Sequence, residues 1–152
     1  MSYHNQSALV IGAGISGFAA AKYLAAAGAR VTLSDAKDEA DAEKDAVTQQ
    51  HIEALRAQGI SCVFGAQREE LLDGTDLIVL SPAVPERIPL VQAARVRGIR
   101  VTTEVELAGE IASAPIYAIT GTNGKTTTTT LLGELLRAHF PAVGVGGNIG
   151  VP

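Results

Sequence analysis

Twice in this chain a short apolar run meets a glycine turn and then a helix-forming run, first around Ile11 and again around Ile119. That unit limits the fold more than any other feature. A strand followed by a returning helix pairs with the next strand in parallel, through a right-handed crossover. Ala8 to Ile11, Val31 to Leu33, Ile60 to Phe64, Leu77 to Leu80 and Ile99 to Thr102 read as strands. Helical spacing separates them, in Ile15, Phe18, Ala21, Leu24 and Ala25, in Val47, Ile52 and Leu55, over Leu90 to Val96, and over Glu104 to Ala112. The expected fold class is α/β, a Rossmann-like open parallel sheet. Lys37 to Asp45, with five acids and two lysines, is expected to be a solvated loop. The prolines of Ser81-Pro82-Ala83-Val84-Pro85 end the fourth strand.

Composition removes several function classes. Of 152 residues 47% are hydrophobic, enough to build a core. Aromatics make up 4% with no Trp, which argues against stacking platforms for nucleic acid. Twelve basic against sixteen acidic residues give a net charge of -4, the wrong sign for a general phosphate-backbone binder. Cys62, the single cysteine, excludes an intrachain disulfide framework. The longest apolar run, Ala8 to Ala21, contains three glycines and is shorter than the ~20 residues of a membrane span. Met1 to Ser7 carries no Lys or Arg, so no secretory signal is read there and a cytoplasmic protein is expected. His4, His51 and His139 are expected at the surface, and Glu69/Glu70 and Glu104/Glu106 on solvated helix faces.

Gly12-Ala13-Gly14-Ile15-Ser16-Gly17 fits G-x-G-x-x-G between a strand and a helix. Gly12 permits the tight turn, Gly14 lets backbone approach a diphosphate, and Gly17 allows close helix-sheet packing. Amides at the helix start, around Ile15 to Gly17, face the anion. Asp35 ends the second strand eighteen residues after Gly17, where a carboxylate can accept from a nucleotide's ribose or base. A dinucleotide and a nucleotide-sugar diphosphate suit this loop equally.

Thr120-Gly121-Thr122-Asn123-Gly124-Lys125-Thr126 follows the strand-like Ile116 to Ile119 and opens a helix through Leu131, Leu132, Leu135 and Leu136. Amides from Gly121 to Thr126 can cradle phosphates. Lys125 would lie on the β/γ-phosphates, and the Thr126 hydroxyl could ligate Mg²⁺. Ile119 occupies the first glycine position of the full pattern. Thr127 is a further candidate phosphate neighbour. This second part is expected to be the first strand–P-loop–helix unit of an ATPase domain. The boundary is placed near residues 103 to 114, dividing the chain into 1–103 and 104–152.

These two loops, the Ser81 to Pro85 turn and Gly146-Gly147-Asn148-Ile149-Gly150 together resemble the Mur ligases of peptidoglycan synthesis, in particular their D-glutamate-adding branch. The resemblance spans nearly the whole chain, which matches the first third or so of such an enzyme. It implies an ATP-dependent ligation in the cytoplasm. The γ-phosphoryl group of ATP passes to the carboxylate of UDP-N-acetylmuramoyl-L-alanine, and the amine of D-glutamate then attacks the acyl phosphate. It further implies that Gly14, Ile15, Ser16 and Gly17 bind the diphosphate of the UDP-substrate and that Asp35 bonds the uracil. Ser81, Ala83 and Asn148 would approach the muramoyl sugar or the diphosphate. Gly121, Thr122, Asn123, Gly124, Lys125, Thr126 and Thr127 would bind ATP, with Lys125 and Thr126 catalytic and Thr126 the Mg²⁺ ligand. Ala36 and Ala83 stand where relatives commonly have a hydroxyl and a glycine. D-glutamate would be held by a domain beyond Pro152, so the chain alone is expected to be inactive. No nucleic-acid or membrane partner is expected.

Two other readings stay open. One is a regulatory Rossmann module that senses NAD(H) or a nucleotide, against which Gly124-Lys125-Thr126 argues. The other is a different Mur-type or folylpolyglutamate-type ligase, against which the Asn148 element argues.

Overall fold

The computed structural model describes residues 3–42 and 44–147. The chain divides into two compact units, Met1–Ile111 and Ala112–Pro152.

In the first unit the strands are β1 (Ser7–Ile11), β2 (Arg30–Asp35), β3 (Ser61–Phe64), β4 (Leu77–Leu80) and β5 (Arg100–Thr103). They form one sheet in the order β3-β2-β1-β4-β5, with every pairing parallel. β1 is central, and Ala8 to Ile11 are all buried. Such a strand is covered on both faces, which is why it reads as an unbroken apolar run. The edge strands β3 and β5 are only partly buried and read correspondingly mixed.

Alternate residues of the central strands feed two cores. Val10, Leu33 and Val79 pack with Leu24 of α1 (Ile15–Ala26) and, beyond the single turn α2 (Glu39–Ala42), Leu55 of α3 (Ala46–Ala57). Leu9, Ile78 and Leu80 pack on the other face with Leu90 and Val91 of α4 (Pro89–Val96) and with Leu72 of a 3-10 turn at Glu69–Leu72. Complete burial of a side chain such as Leu24 contributes roughly 1.5–3 kcal/mol. α1 ends at Gly28, whose φ of +89° a β-carbon would strain.

α5 (Glu104–Ile111) belongs with the sheet, because Leu107 is buried in the first core. A reciprocal capping box starts it: the Thr103 amide donates to the Glu106 carboxylate at 2.9 Å, and the Glu106 amide donates to the Thr103 hydroxyl at 3.3 Å. Glu110 at its far end pairs with Arg100 and accepts from the buried Tyr3 hydroxyl at 3.3 Å.

Two expectations are corrected here. Lys37 to Asp45 is not loop throughout: α2 forms there, with Ala42 buried and Glu39 paired to Arg56. Asp45 also caps α3, accepting from the Thr48 amide at 3.1 Å.

In the second unit, α6 (Lys125–Arg137) forms as expected, but Ile116 to Ile119 is not a strand. A strand exists only through its hydrogen-bonded neighbours, and the described residues give this segment no ladder. The strand–P-loop–helix unit is therefore present only as loop and helix. Gly133 of α6 is buried, and a β-carbon there would lie 2.7 Å from the Val145 side chain. Ile116, Tyr117, Leu131, Leu135 and Phe140 remain exposed.

Candidate functional site

The chain leaves β1 toward β2 on one side of the sheet, while β4 lies on the other side of β1. This reversal is a topological switch point, and the carboxyl ends of β1 and β4 beside it are the usual ligand position in open α/β sheets. Gly12 follows β1 and Ser81 follows β4, so the topology brings the first glycine loop and the Ser-Pro turn together.

The contact between them is close. The Gly12 amide donates to the Ser34 carbonyl at 2.8 Å, and the Ser81 amide donates to the Ile11 carbonyl at 3.0 Å. The buried Ser81 hydroxyl donates to the Gly12 carbonyl at 3.2 Å. Gly12 has φ +106°, and a β-carbon on it would lie 2.8 Å from the Ser81 β-carbon. A β-carbon on Gly17 would lie 1.8 Å from the Gly12 carbonyl oxygen. Gly17 thus does more than allow helix-sheet packing. It makes the niche that this carbonyl occupies.

Asp35 closes the loop from the β2 side. One carboxylate oxygen accepts from the Ala13 amide at 2.7 Å and the other from the Lys37 amide at 2.9 Å. A carboxylate has about four lone-pair sites, so these bonds leave capacity for a further donor.

α1 begins beyond the carboxyl end of β1. Its cap residue, Gly14, has no side-chain hydrogen bond to offer, and its first turn holds no acid. The amides of Ile15, Ser16 and Gly17 are therefore the unsatisfied donors of a helix start, carrying its positive dipole end. Nothing lies within 4 Å of a β-carbon position on Gly14. Gly14 and Ile15 are exposed, Ser16 is half-buried and Gly17 is buried. Such a surface can take a diphosphate on backbone donors alone.

Of the other proposed contacts, Ala83 is exposed beyond the Ser81 turn, while Asn148 lies outside the described residues. His51 is not a free surface residue: it is half-buried and stacks on Phe18 with centroids 3.9 Å apart. A cavity of about 900 Å³ lies at the opposite ends of the strands, where Ser7, Arg30 and Ser61 begin β1, β2 and β3.

The second glycine loop is exposed from Gly121 to Thr128. Gly124 turns left-handed at φ +77° and opens α6 with no side-chain cap. Lys125 folds back, its Nζ donating to the Gly121 carbonyl at 2.5 Å. Thr129 and Thr130 donate to the Lys125 and Thr126 carbonyls, at 2.8 Å and 3.0 Å. The hydroxyls of Thr126 and Thr127 make no such bond among the described residues. The loop is open to solvent, its lysine held on a carbonyl that a phosphate could replace.

What the sequence did not show was the bonding of the Gly12–Ala13 peptide. Its partners are the side chains of Ser81 and Asp35, distant in sequence and brought together by the strand order, and neither residue type by itself announces that it bonds this peptide.

With this geometry in hand, the likeness to known proteins is specific. Residues 6–103 match the family model described as Mur ligase MurD-like, N-terminal domain. Over 144 residues the chain is 48% identical to the UDP-N-acetylmuramoylalanine--D-glutamate ligase of Exiguobacterium sibiricum, covering 95% of this chain and 30% of that one. It is 48% identical over 154 aligned positions to the enzyme of that name from Enterococcus faecalis, covering 99% and 32%. Among solved structures, a murein peptide ligase from Psychrobacter arcticus aligns with TM-score 0.57 and 26% identity over 88% of this chain and 26% of its own. The chain thus spans about a third of the length of the curated relatives it matches.

Proposed function

Because the chain belongs to the Mur ligase family through its MurD-like N-terminal domain, we propose that it is the UDP-substrate-binding part of a D-glutamate-adding ligase, joined to the opening of the ATP-binding domain. One observation carries this reading. An uncapped helix N-terminus stands at the switch point of a 3-2-1-4-5 parallel sheet, its glycine loop braced by Asp35 and Ser81. Relatives 48% identical over nearly the whole chain are named for that ligation.

In this reading Gly14, Ile15, Ser16 and Gly17 take the diphosphate of UDP-N-acetylmuramoyl-L-alanine on backbone amides. Asp35 offers its remaining acceptor capacity to the uracil. Ala83 would contact the muramoyl sugar or the diphosphate, and Asn148, given the same role by the family resemblance, lies outside the described residues. The functional boundary lies within 103–114, and because α5 (Glu104–Ile111) packs with the sheet the ATP-binding part would start after it rather than at 104. Its loop, Gly121 to Thr127, holds the triphosphate of the co-substrate ATP, and Lys125 leaves the Gly121 carbonyl for a phosphate oxygen. ATP supplies the phosphoryl group that turns a carboxylate into an electrophile, releasing ADP, and the D-glutamate amine then displaces phosphate to form the amide.

The residues present fit one part of a Mg²⁺ site. Among the described residues no group of three or more His, Cys, Asp or Glu is placed to hold a metal ion. Mg²⁺ would therefore arrive with the triphosphate and take the Thr126 hydroxyl as one ligand. Binding of D-glutamate and completion of the transfer site fall to regions of the relatives that this chain does not cover. Phosphoryl transfer relies on positioning and charge stabilisation, so this chain by itself is expected to bind without turning over.

Titration calorimetry of the 152-residue chain with UDP and with NADH tests the reading. It expects heat from UDP and none from NADH. Tight NADH binding without a UDP response would favour the nucleotide-sensing module instead.

A further inference from the structure

We infer that Asp35 and Ser81 clamp a single peptide group, the one joining Gly12 to Ala13, and are positioning residues for diphosphate binding. This rests on the nucleotide reading above and adds how the loop is kept in a binding shape. The two bonds engage opposite ends of one plane: Ser81 donates to the Gly12 carbonyl, and Asp35 accepts from the Ala13 amide. A peptide plane is rigid, so holding its oxygen and its nitrogen fixes its rotation. The clamp comes from the two strands that flank β1, since Asp35 ends β2 and Ser81 follows β4.

The clamp matters because of what the peptide would otherwise do. Gly12 has no β-carbon and therefore little resistance to rotation of the peptide that follows it. Its carbonyl oxygen already sits against the first turn of α1, in the niche left by Gly17. The amides of that turn have no side-chain cap. A released carbonyl is the oxygen best placed to cap them, and it would then compete with any anion for the same donors. Held by Ser81 and Asp35, the carbonyl stays in its niche and the amides stay available. The buried Ala13 amide, for its part, is committed to Asp35 and is not one of the anion donors.

The test uses Asp35→Ala, which removes the acceptor outright, with Ser81→Ala and the double variant, and UDP and inorganic pyrophosphate as probes. Because pyrophosphate has no base or sugar, it reads the loop alone. Each single variant is expected to weaken both probes by about tenfold, the scale of one charge-assisted or buried hydrogen bond. The double variant should be scarcely weaker than either single one, as for two groups acting through one peptide. Weaker UDP binding with unchanged pyrophosphate binding in Asp35→Ala would overturn the inference, since Asp35 would then act on the nucleoside. Fully additive losses would overturn it too.

The clamp is also read without ligand. In the wild-type chain, a scalar coupling across the hydrogen bond should link the Ala13 amide nitrogen to the Asp35 carboxylate carbon. Hydrogen exchange at Ala13 should quicken by about tenfold or more in either variant. Absence of the coupling, or exchange unchanged in folded variants, overturns the clamp. A wild-type chain that keeps the coupling but binds neither probe overturns the nucleotide reading instead, and the clamp's purpose with it.

Discussion

The Gly12 carbonyl oxygen lies 1.8 Å from the point where Gly17 would carry a β-carbon. No side chain can share that space, and the obstacle is backbone, which cannot swing away. Gly17→Ala is therefore expected to force the loop off the helix start and to destabilise the first unit by about 3 kcal/mol or more. Thermal unfolding followed by circular dichroism checks it. Gly14→Ala is the control: its β-carbon meets nothing within 4 Å, so stability should fall by less than about 1 kcal/mol. That same β-carbon stands where a diphosphate would approach, and UDP affinity should fall well beyond the stability change.

Ser34 precedes Asp35 on β2, and its buried hydroxyl oxygen has no hydrogen-bond partner. An unsatisfied buried hydroxyl costs stability, while an alanine of nearly the same shape does not. Ser34→Ala should leave the fold unchanged and raise stability by up to about 1 kcal/mol. Urea unfolding of the two proteins decides it, and a loss above that size would mean the hydroxyl is in use.

Acid should loosen α5. The Thr103 amide, with the Thr102 and Thr103 hydroxyls, holds the Glu106 carboxyl below the usual glutamate range. The Arg100 guanidinium does the same for Glu110. A carboxylate with a depressed folded pKa stabilises the native state above its unfolded value, about 4.3 for glutamate, and that contribution disappears as pH falls through the folded value. Amide exchange at Leu107 should therefore accelerate as pH drops from about 5 to about 3, after correction for intrinsic rates. Glu106→Gln should flatten much of that dependence, whereas an unchanged profile would contradict the assignment.

How far the sequence could be read depended on whether a segment's surroundings left their mark on its own residue types. Ala8 to Ile11 and Leu77 to Leu80 are buried on both faces, so their apolar runs read as strands without ambiguity. The start of α5 was less legible, because the Thr103–Glu106 box lies within a segment read only for helical propensity. α2 was hidden by its charge: Ala42 is its sole buried residue, and Glu39 is held by Arg56 from α3. Ile116 to Ile119 failed for the opposite reason. Its apolar pattern is that of a strand, but strand partners are long-range and none is supplied among the described residues.

The candidate site divided along the same line. Its glycines, Asp35 and the Ser81 turn could be picked out by type and spacing. The facts that Ser81 and Asp35 meet at one peptide, and that Gly17 shelters a carbonyl, follow from the strand order β2-β1-β4.

Lys125→Ala should separate binding from folding in the second unit. The side chain is exposed and bonds only to carbonyls of its own loop. Its loss should change the melting temperature little and reduce ATP affinity by about tenfold or more, as expected when a phosphate loses its charge-assisted partner. Competition with a fluorescent ATP analogue measures it, with UDP binding as the internal control that should stay unchanged.

On the function proposed above, the first turn of α1 binds the diphosphate of a uridine nucleotide. Amide-resolved NMR during a UDP titration tests it most directly. The claim predicts saturable shifts centred on Gly14, Ile15, Ser16 and Gly17, reproduced in part by inorganic pyrophosphate and absent with uridine alone at the same concentration. Saturable shifts confined to other surfaces, with those four amides unmoved, would contradict it.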